Sequence, residues 1–275
     1  MSAAPRRLLG THEFEVWLVG DRSVLRLPRS PAGGRKLLRE AKLLALLGGR
    51  LPLNVPRPRV VRVAGTVASL HPYLAGRSGQ GAALTVPEVS GIASQLGRTL
   101  ARLHQIPLAG VGSRWPRHRT RQHQLQTGVK QAAAMIRARR PQLATAALER
   151  WVEEMPGHPL EFAGSVVCHG DIKGEHLLCD GTPARLVGLI DWADTCLSDP
   201  AHDLAGLVLW RGEEALRWAL QAYATPFPGE LLERALCLGR SRVVRNLGRS
   251  LGGGWAAPAD LIEAQFRAAF APPAG

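Results

Sequence analysis

The hydrophobic pattern of the chain changes once, at a short glycine- and serine-rich stretch, residues 75–81 ("AGRSGQG"). Before this stretch, apolar and polar residues alternate, which is typical of strands with one buried face. After it, apolar residues recur at every third or fourth position, which is typical of helices that bury one face. We therefore expect two lobes in an α+β fold: residues 1–74 as a small β-rich N-lobe and residues 75–275 as a larger, mainly helical C-lobe.

Two hairpins and one helix are predicted for the small lobe. The helix covers residues 35–47, where four apolar side chains share one face and Gly48-Gly49 provides a stop signal. Those side chains are Leu37, Ala41, Leu44 and Leu47. The hairpins comprise residues 13–19 with 23–27, turning at Gly20-Asp21-Arg22, and residues 59–74, turning at Ala64-Gly65.

The larger lobe is predicted to be helical with two short strands inside it. Residues 90–106 place Ile92, Leu96, Leu100 and Leu103 at helical spacing, and Pro107 follows. Residues 119–155 and three segments after residue 212 also have a helical pattern. The two strands are "SVVCH" (165–169) and "RLVGLID" (185–191), which we expect to pair across a turn at residues 180–183.

The charge of the chain is strongly positive and unevenly distributed. Its formal net charge is +13, and residues 89–148 contain ten Lys and Arg residues but no Asp or Glu. Such a stretch attracts nucleic acid, acidic lipid or phosphorylated ligands. An ordinary solvated basic face explains it as well, so a nucleic-acid partner is not our main expectation.

Several other classes are not favoured by the sequence. No apolar run approaches about 18 residues, the length that a membrane-spanning helix requires. The first residues become polar too early for a secretory signal peptide. Cys168, His176 and Cys179 could suggest a structural zinc site, but the sequence has no second close-spaced pair of ligands to complete it. The four cysteines also lack CxxC spacing, which favours a reduced, cytoplasmic chain.

The densest group of titratable residues is "VVCHGDIKGEHLLCD" (166–180). Asp171 and His176 lie five residues apart on a loop that leaves one predicted strand, and Asp191 ends the other. A carboxylate and an imidazole could hold a divalent ion there, while a second carboxylate receives a proton. Phosphoryl transfer uses this combination of a metal on the phosphates and a carboxylate that orients the attacking hydroxyl.

These motifs resemble a known family. The run from His169 to His176 resembles the protein-kinase catalytic loop. Glycine at position 170 and the later "IDW…DP…DLA" residues make the chain similar to the aminoglycoside phosphotransferase family, whose members are kinase-like small-molecule phosphotransferases. His176 and "GLIDW…DPAHDLA" are closest to the macrolide kinases. The matching segments are Ile190-Asp191-Trp192, Asp199-Pro200, Asp203-Leu204-Ala205 and residues 24–29, 39–44, 55–58 and 100–104.

The resemblance implies a protein-kinase-like two-lobe fold and a reaction. The γ-phosphate of ATP or GTP, bound with Mg²⁺, would move to a hydroxyl of a small molecule such as an antibiotic of macrolide or aminoglycoside type. This transfer would confer resistance. It also implies site residues: Asp171 as catalytic base, Lys173 as charge stabiliser, His176 and Asp191 as metal ligands, Arg26 and Glu40 as the pair that grips the nucleotide phosphates, and Asp199 and Asp203 as architectural residues.

Other functions remain open at this level. A neutral or anionic hydroxylated metabolite could be the acceptor, because the acid-free stretch 89–148 offers nothing to a polycationic aminoglycoside. Lys173 favours a protein kinase. Three features argue against that class: Gly170, Trp192 and the absence of an A-P-E segment from the sequence. A non-catalytic nucleic-acid-binding relative would use the basic stretch instead.

Overall fold

The chain is described here from a computed structural model that covers residues 4–10, 13–20, 22–47, 49–110, 115–157, 160, 164–224, 230–254 and 257–271. The small lobe contains the strands β1 (Arg6–Gly10), β2 (Phe14–Val19), β3 (Ser23–Pro28), β4 (Arg59–Val63) and β5 (Thr66–Pro72), and the helix α1 (Pro31–Leu47). The strands of the larger lobe are β6 (Arg77–Ser78), β7 (Val166–Cys168), β8 (Leu177–Asp180), β9 (Arg185–Leu189) and β10 (Cys196–Ser198). Its helices are α2 (Val86–His104), α3 (Gln122–Arg139), α4 (Ala146–Glu154), α5 (Ala201–Tyr223), α6 (Leu231–Leu251) and α7 (Ala259–Ala269).

The small lobe is an antiparallel sheet with strand order β1-β2-β3-β5-β4. Both predicted hairpins are confirmed, and Asp21 of the first turn lies outside the described residues. In the second turn Ala64 and Gly65 have φ angles of +47° and +80°, which suit the right-handed twist of the paired strands. The register pairs Arg26 with Val16 on one side and Ser69 on the other, so Arg26 lies on the central strand.

Helix α1 covers one face of this sheet. It begins four residues earlier than predicted, because Ser30 accepts a hydrogen bond from the Gly33 N–H (3.2 Å) and Pro31 suits the first helical position. Three of the four predicted face residues are buried, Ala41 is partly buried, and Leu43 joins them. Glu40 lies on this buried face, which requires a cationic partner for its carboxylate.

The core of the larger lobe is formed by packed helices. The four predicted apolar residues of α2 have no exposed surface, and the helix starts at Val86, where Glu88 accepts a hydrogen bond from the Thr85 N–H (2.9 Å). Helix α5 crosses α2 so closely that a Cβ at Gly97 would lie 2.1 Å from the Ala219 carbonyl oxygen. Trp115, Trp151 and Trp210 also lie in this core.

Two helical predictions need correction. Residues 119–155 form two helices, because Arg140 leaves the helical conformation before Pro141 and Thr145 caps α4. The first of the three helices expected after residue 212 begins at Ala201, and the chain kinks at Arg211 and Gly212 within it. The apolar run of residues 204–210 hid this first half, since both faces of the helix are buried there.

The predicted pairing of residues 165–169 with residues 185–191 is wrong. Strand β7 pairs with β10, whereas β9 pairs with β8 across the turn at residues 181–184. The turn was correctly located, but "LLCD" is the strand that precedes it, since a tight turn can join only strands that adjoin it in sequence. The loop 169–176 therefore connects two separate strand pairs.

The predicted linker also takes part in the larger lobe. Within residues 75–81, Arg77 and Ser78 form β6, which pairs with Cys179 and Leu178 of β8. The proposed division after Leu74 falls between β5 and β6 and stays a prediction. Among the helices that the structure describes, none combines the length and apolar character needed to cross a membrane.

Candidate active site

The loop that follows β7 turns sharply at Gly170. This residue has a φ of +90°, and a Cβ on it would lie 2.2 Å from the carbonyl oxygen of Asp194. Any side chain at position 170 would therefore push the loop away from the segment that follows β9. The close approach explains why glycine stands between His169 and Asp171.

Asp203, in the first turn of α5, holds the backbone of this loop. Its carboxylate accepts hydrogen bonds from the N–H groups of His169 (2.7 Å) and Gly170 (2.9 Å), and His104 Nε2 lies 3.2 Å from it. Burial alone would raise the pKa of Asp203, but His104 and the other neighbouring histidines outweigh it and lower the pKa to about 2. The predicted architectural role of Asp203 is confirmed. Asp199 is architectural too: it caps α5 by accepting from the Ala201 N–H (2.9 Å).

Replacing Asp203 with Asn should make the protein less stable at neutral pH. The folded pKa lies below the ordinary value of 3.8, so the charged carboxylate stabilises the fold above about pH 4 and loses this effect as the pH falls towards 2. A loss of about 2 kcal/mol in the free energy of unfolding is expected at pH 7, and the stability of the variant should change less between pH 4 and 2. Urea unfolding at several pH values measures this, with Asp180→Asn, at the exposed end of β8, as the matched control.

His169 connects the two loops of the site. Its Nε2–H donates to the carbonyl oxygen of Ile190 (3.1 Å), and its Nδ1 accepts from the N–H of Asp171 (3.2 Å). Burial lowers the pKa of His169, so the ring stays uncharged in this arrangement. One buried imidazole thus sets the distance between the backbones that carry Asp171 and Asp191.

His176 and Asp191, the two predicted metal ligands, lie side by side. His176 Nδ1–H donates to the carbonyl oxygen of Asp171 (2.8 Å), which leaves a lone pair on Nε2, 3.4 Å from Asp191 Oδ2. Burial would raise the pKa of Asp191, but Arg26, His176, His169 and Lys173 outweigh it, so the carboxylate stays charged. One carboxylate oxygen and one imidazole nitrogen at this separation suit a divalent ion, although magnesium prefers oxygen ligands.

Arg26 joins the small lobe to this site. Its Nη1 contacts both carboxylate oxygens of Glu40 (2.8 and 2.6 Å), while its Nη2 donates to Asp191 Oδ1 (3.0 Å). The guanidinium also lies 4.6 Å from the ring centroid of Phe14. Burial raises the pKa of Glu40 and Arg26 opposes this shift. The predicted Arg26–Glu40 pair is present, and it reaches the predicted metal ligand directly.

Lys173 lies beside the predicted base. Its ammonium group is 3.1 Å from Asp171 Oδ2 and 2.6 Å from Glu175 Oε1. Burial would lower the pKa of Lys173, but Asp171 and Glu175 outweigh it and raise the pKa, so this group stays cationic. Glu175, which was not among the predicted site residues, therefore shares the charge of Lys173 with Asp171.

Part of the basic stretch, residues 89–148, is already paired. Two cations of the basic stretch form ion pairs within the protein: Arg137 with Glu149 and Arg140 with Glu263. That stretch is therefore less available to nucleic acid than its composition indicated.

Comparisons with known proteins show the family and the fold of this chain. A family model described as the phosphotransferase enzyme family (APH) matches residues 5–236. Viomycin phosphotransferase of Streptomyces vinaceus is 28% identical over 230 residues, which cover 76% of this chain and 75% of that protein.

Solved structures are similar over nearly the whole chain. The GDP complex of aminoglycoside 2′-phosphotransferase-IIIa superposes with a TM-score of 0.71 at 19% identity, covering 97% of this chain and 93% of that one. The macrolide 2′-phosphotransferase MphH of Brachybacterium faecium gives a TM-score of 0.62 at 26% identity, covering 98% and 93%. The fold is therefore kinase-like, and the chain belongs to the phosphotransferase enzyme family.

Proposed function

We propose that this chain transfers the γ-phosphate of Mg-ATP or Mg-GTP to a hydroxyl group of an antibiotic-type small molecule. One observation carries the proposal: the six residues predicted from the sequence form a single contact network across the gap between the lobes. In order along the network they are Glu40, Arg26, Asp191, His176, Asp171 and Lys173. Phosphoryl transfer depends mainly on positioning and charge neutralisation, which this network provides.

The small lobe would bind the phosphates of the nucleotide. Arg26 presents a planar cation that Glu40 holds in place, and its Nη2 faces the gap where Asp191 lies. His176 Nε2 and Asp191 Oδ2 would hold the magnesium ion. When bound there, the ion would neutralise the negative charge of the phosphate oxygens.

Asp171 and Lys173 would act on the acceptor. The acceptor oxygen forms a bond to the γ-phosphorus while the bond to the bridging oxygen of the nucleoside diphosphate breaks. The hydroxyl proton passes to the Asp171 carboxylate, which orients the hydroxyl before the reaction. Lys173, already 3.1 Å from this carboxylate, lies close enough to stabilise negative charge on the transferred group.

The charge distribution favours an acceptor with few positive charges. A polycationic acceptor requires unpaired carboxylates around the base. Three acidic residues of the larger lobe are instead neutralised within the protein: Asp194 by Lys36 (2.7 Å), Glu213 by Arg240 (3.0 Å) and Glu263 by Arg140 (3.0 Å). A macrolide-like acceptor, or a neutral or anionic metabolite, fits this balance better than an aminoglycoside.

Replacing Arg26 with Lys is expected to weaken nucleotide binding while the fold persists. A lysine keeps the positive charge beside Glu40 but cannot contact Glu40 and a phosphate at the same time with a rigid fork. We expect the nucleotide Kd to rise about tenfold, which corresponds to about 1.4 kcal/mol. Titration with a fluorescent nucleotide measures this, and Arg29→Lys, on a partly exposed side chain of the same lobe, is the matched control.

A nucleotide-consumption screen tests the proposal. The purified chain is incubated with Mg²⁺ and either ATP or GTP, together with macrolides, aminoglycosides, viomycin and hydroxylated metabolites of each charge type. We expect acceptor-dependent release of nucleoside diphosphate and a product that carries one added phosphoryl group by mass spectrometry. Resistance would follow as reduced susceptibility of cells that express the chain to the antibiotic that it modifies.

A different result would exclude the proposal. A protein that binds neither nucleotide in the presence of Mg²⁺ is not a phosphotransferase of this type. Salt-sensitive binding to DNA without any nucleotide turnover would favour the non-catalytic alternative instead.

A further inference from the structure

The carbonyl group of Gly170 is held by a side chain that the reaction itself does not require. His202, the second residue of α5, places its Nε2 3.2 Å from the Gly170 oxygen. A carbonyl oxygen can only accept, so the proton must be on Nε2, and Nδ1 of His202 is then an acceptor. This assignment gives His202 a defined tautomer.

Arg242 of α6 packs against the same imidazole. Its Nη2 lies 2.8 Å from Nδ1 of His202 and 3.1 Å from Nε2, so the guanidinium contacts both ring nitrogens and does not select one of them. Burial and the charge of Arg242 lower the pKa of His202 well below its ordinary value, which keeps the ring uncharged. The Gly170 carbonyl therefore selects the tautomer, while Arg242 keeps the ring neutral and packs against it.

The hydrogen bond from His202 restrains the peptide unit between Gly170 and Asp171. The Gly170 N–H donates to Asp203 Oδ1 (2.9 Å), and the Gly170 C=O accepts from His202. The peptide units on both sides of Gly170 are thus fixed, although glycine is the residue with the greatest freedom to rotate. Because the C=O belongs to the peptide that carries the Asp171 nitrogen, a rotation of this unit would move the Asp171 carboxylate.

We propose that Arg242 and His202 are positioning residues for phosphoryl transfer, which fix the orientation of Asp171 through the Gly170 carbonyl. This inference rests on the proposed function, since it needs Asp171 to be the base. Neither residue belongs to the network of Arg26, Asp191 and His176, and they reach the loop from two helices that follow it in the chain. They need no contact with the nucleotide or the acceptor.

The test compares substitutions at His202, at Arg242 and at the control position His118 in the whole chain. His202→Leu removes the donor to Gly170, and His202→Gln retains an N–H at a position similar to Nε2. His118→Leu is the matched control, because its ring lies 4.4 Å from the His202 ring but makes no bond to Gly170. The readouts are kcat and nucleotide KM with the acceptor found in the screen, and amide hydrogen exchange of residues 169–172, which needs no acceptor.

We expect His202→Leu to lower kcat by about 10- to 100-fold, the size of effect that a small misplacement of a reacting group produces. The nucleotide KM should not change, and His202→Gln should restore most of the rate. Exchange at the Asp171 amide should be faster in His202→Leu and unaffected in His118→Leu. Arg242→Met should change the same quantities in the same direction, but less, because His202 keeps its bond to Gly170.

Two kinds of failure can be told apart. If Asp171→Asn abolishes turnover while His202→Leu leaves kcat and exchange at residues 169–172 unchanged, the positioning role is wrong and the proposed function stands. If Asp171→Asn retains full turnover, the assignment of the base fails first. A loss of rate that His202→Gln does not restore would indicate a general packing role and would also overturn the inference.

Discussion

Replacing Asp171 with Asn is expected to lower kcat by about 10²- to 10⁴-fold, the usual contribution of a positioned general base. The amide keeps the size and shape of the side chain but cannot take the proton of the acceptor hydroxyl. The backbone carbonyl of Asp171, which accepts from His176 (2.8 Å), is unaffected, so the metal-binding side of the site should remain intact. Single-turnover kinetics at a saturating nucleotide concentration would measure the rate of the chemical step.

The nucleotide Kd of this variant should stay near that of the unaltered protein, because Arg26, Glu40 and Asp191 remain in place. Asp180→Asn is the matched control: it makes the same chemical change on the exposed end of β8. Turnover of Asp171→Asn at the unaltered rate would show that another group receives the proton.

Replacing Asp191 with Asn is expected to lower kcat/KM by about 10³-fold, since a metal ion contributes several kcal/mol of charge stabilisation in the transition state. The substitution removes a charged oxygen next to His176 Nε2 and weakens the contact with Arg26 Nη2 (3.0 Å). The concentration of Mg²⁺ needed for half-maximal activity should rise, which distinguishes this variant from Asp171→Asn. Activity measured over a range of Mg²⁺ concentrations provides the test.

The Asp194→Asn variant distinguishes a loss of metal binding from a loss of contact between the lobes. Asp194 lies three residues further along the same segment and also bonds to the small lobe, through Lys36 (2.7 Å). We expect this control to retain its magnesium requirement. If Asp191→Asn and Asp194→Asn lose the same activity at every magnesium concentration, the loss in Asp191→Asn would come from the weakened contact between the lobes and not from weaker metal binding.

The features that the sequence predicted correctly depend on residues close together in the chain. The β4–β5 hairpin follows from alternation on both sides of Ala64-Gly65, and the face of α2 follows from the spacing of its apolar residues. The candidate site was found because Asp171, His176 and Asp191 lie in short motifs that resemble those of a family.

The features that the sequence did not predict are non-local. Nothing around "SVVCH" indicates that its partner is β10 rather than β9, because the pairing depends on where the chain returns after Asp191. His202 and Arg242 are 40 residues apart, and a single sequence contains no signal that their side chains meet. Gly170 was noticed in the sequence only as part of a motif. The physical reason for a glycine there, the close approach of the Asp194 carbonyl, is visible only in the structure.

The contacts between the lobes have a consequence for how ligands enter. Arg26 and Lys36 of the small lobe bind Asp191 and Asp194, two carboxylates on one short segment of the larger lobe. Separating the lobes exposes charges of both signs. Under the proposed function, a magnesium-bound triphosphate would bring a cation for Asp191 and anions for Arg26, so its entry would exchange ionic partners with little net loss of pairing. The two lobes could then stay close together before the nucleotide binds without excluding it.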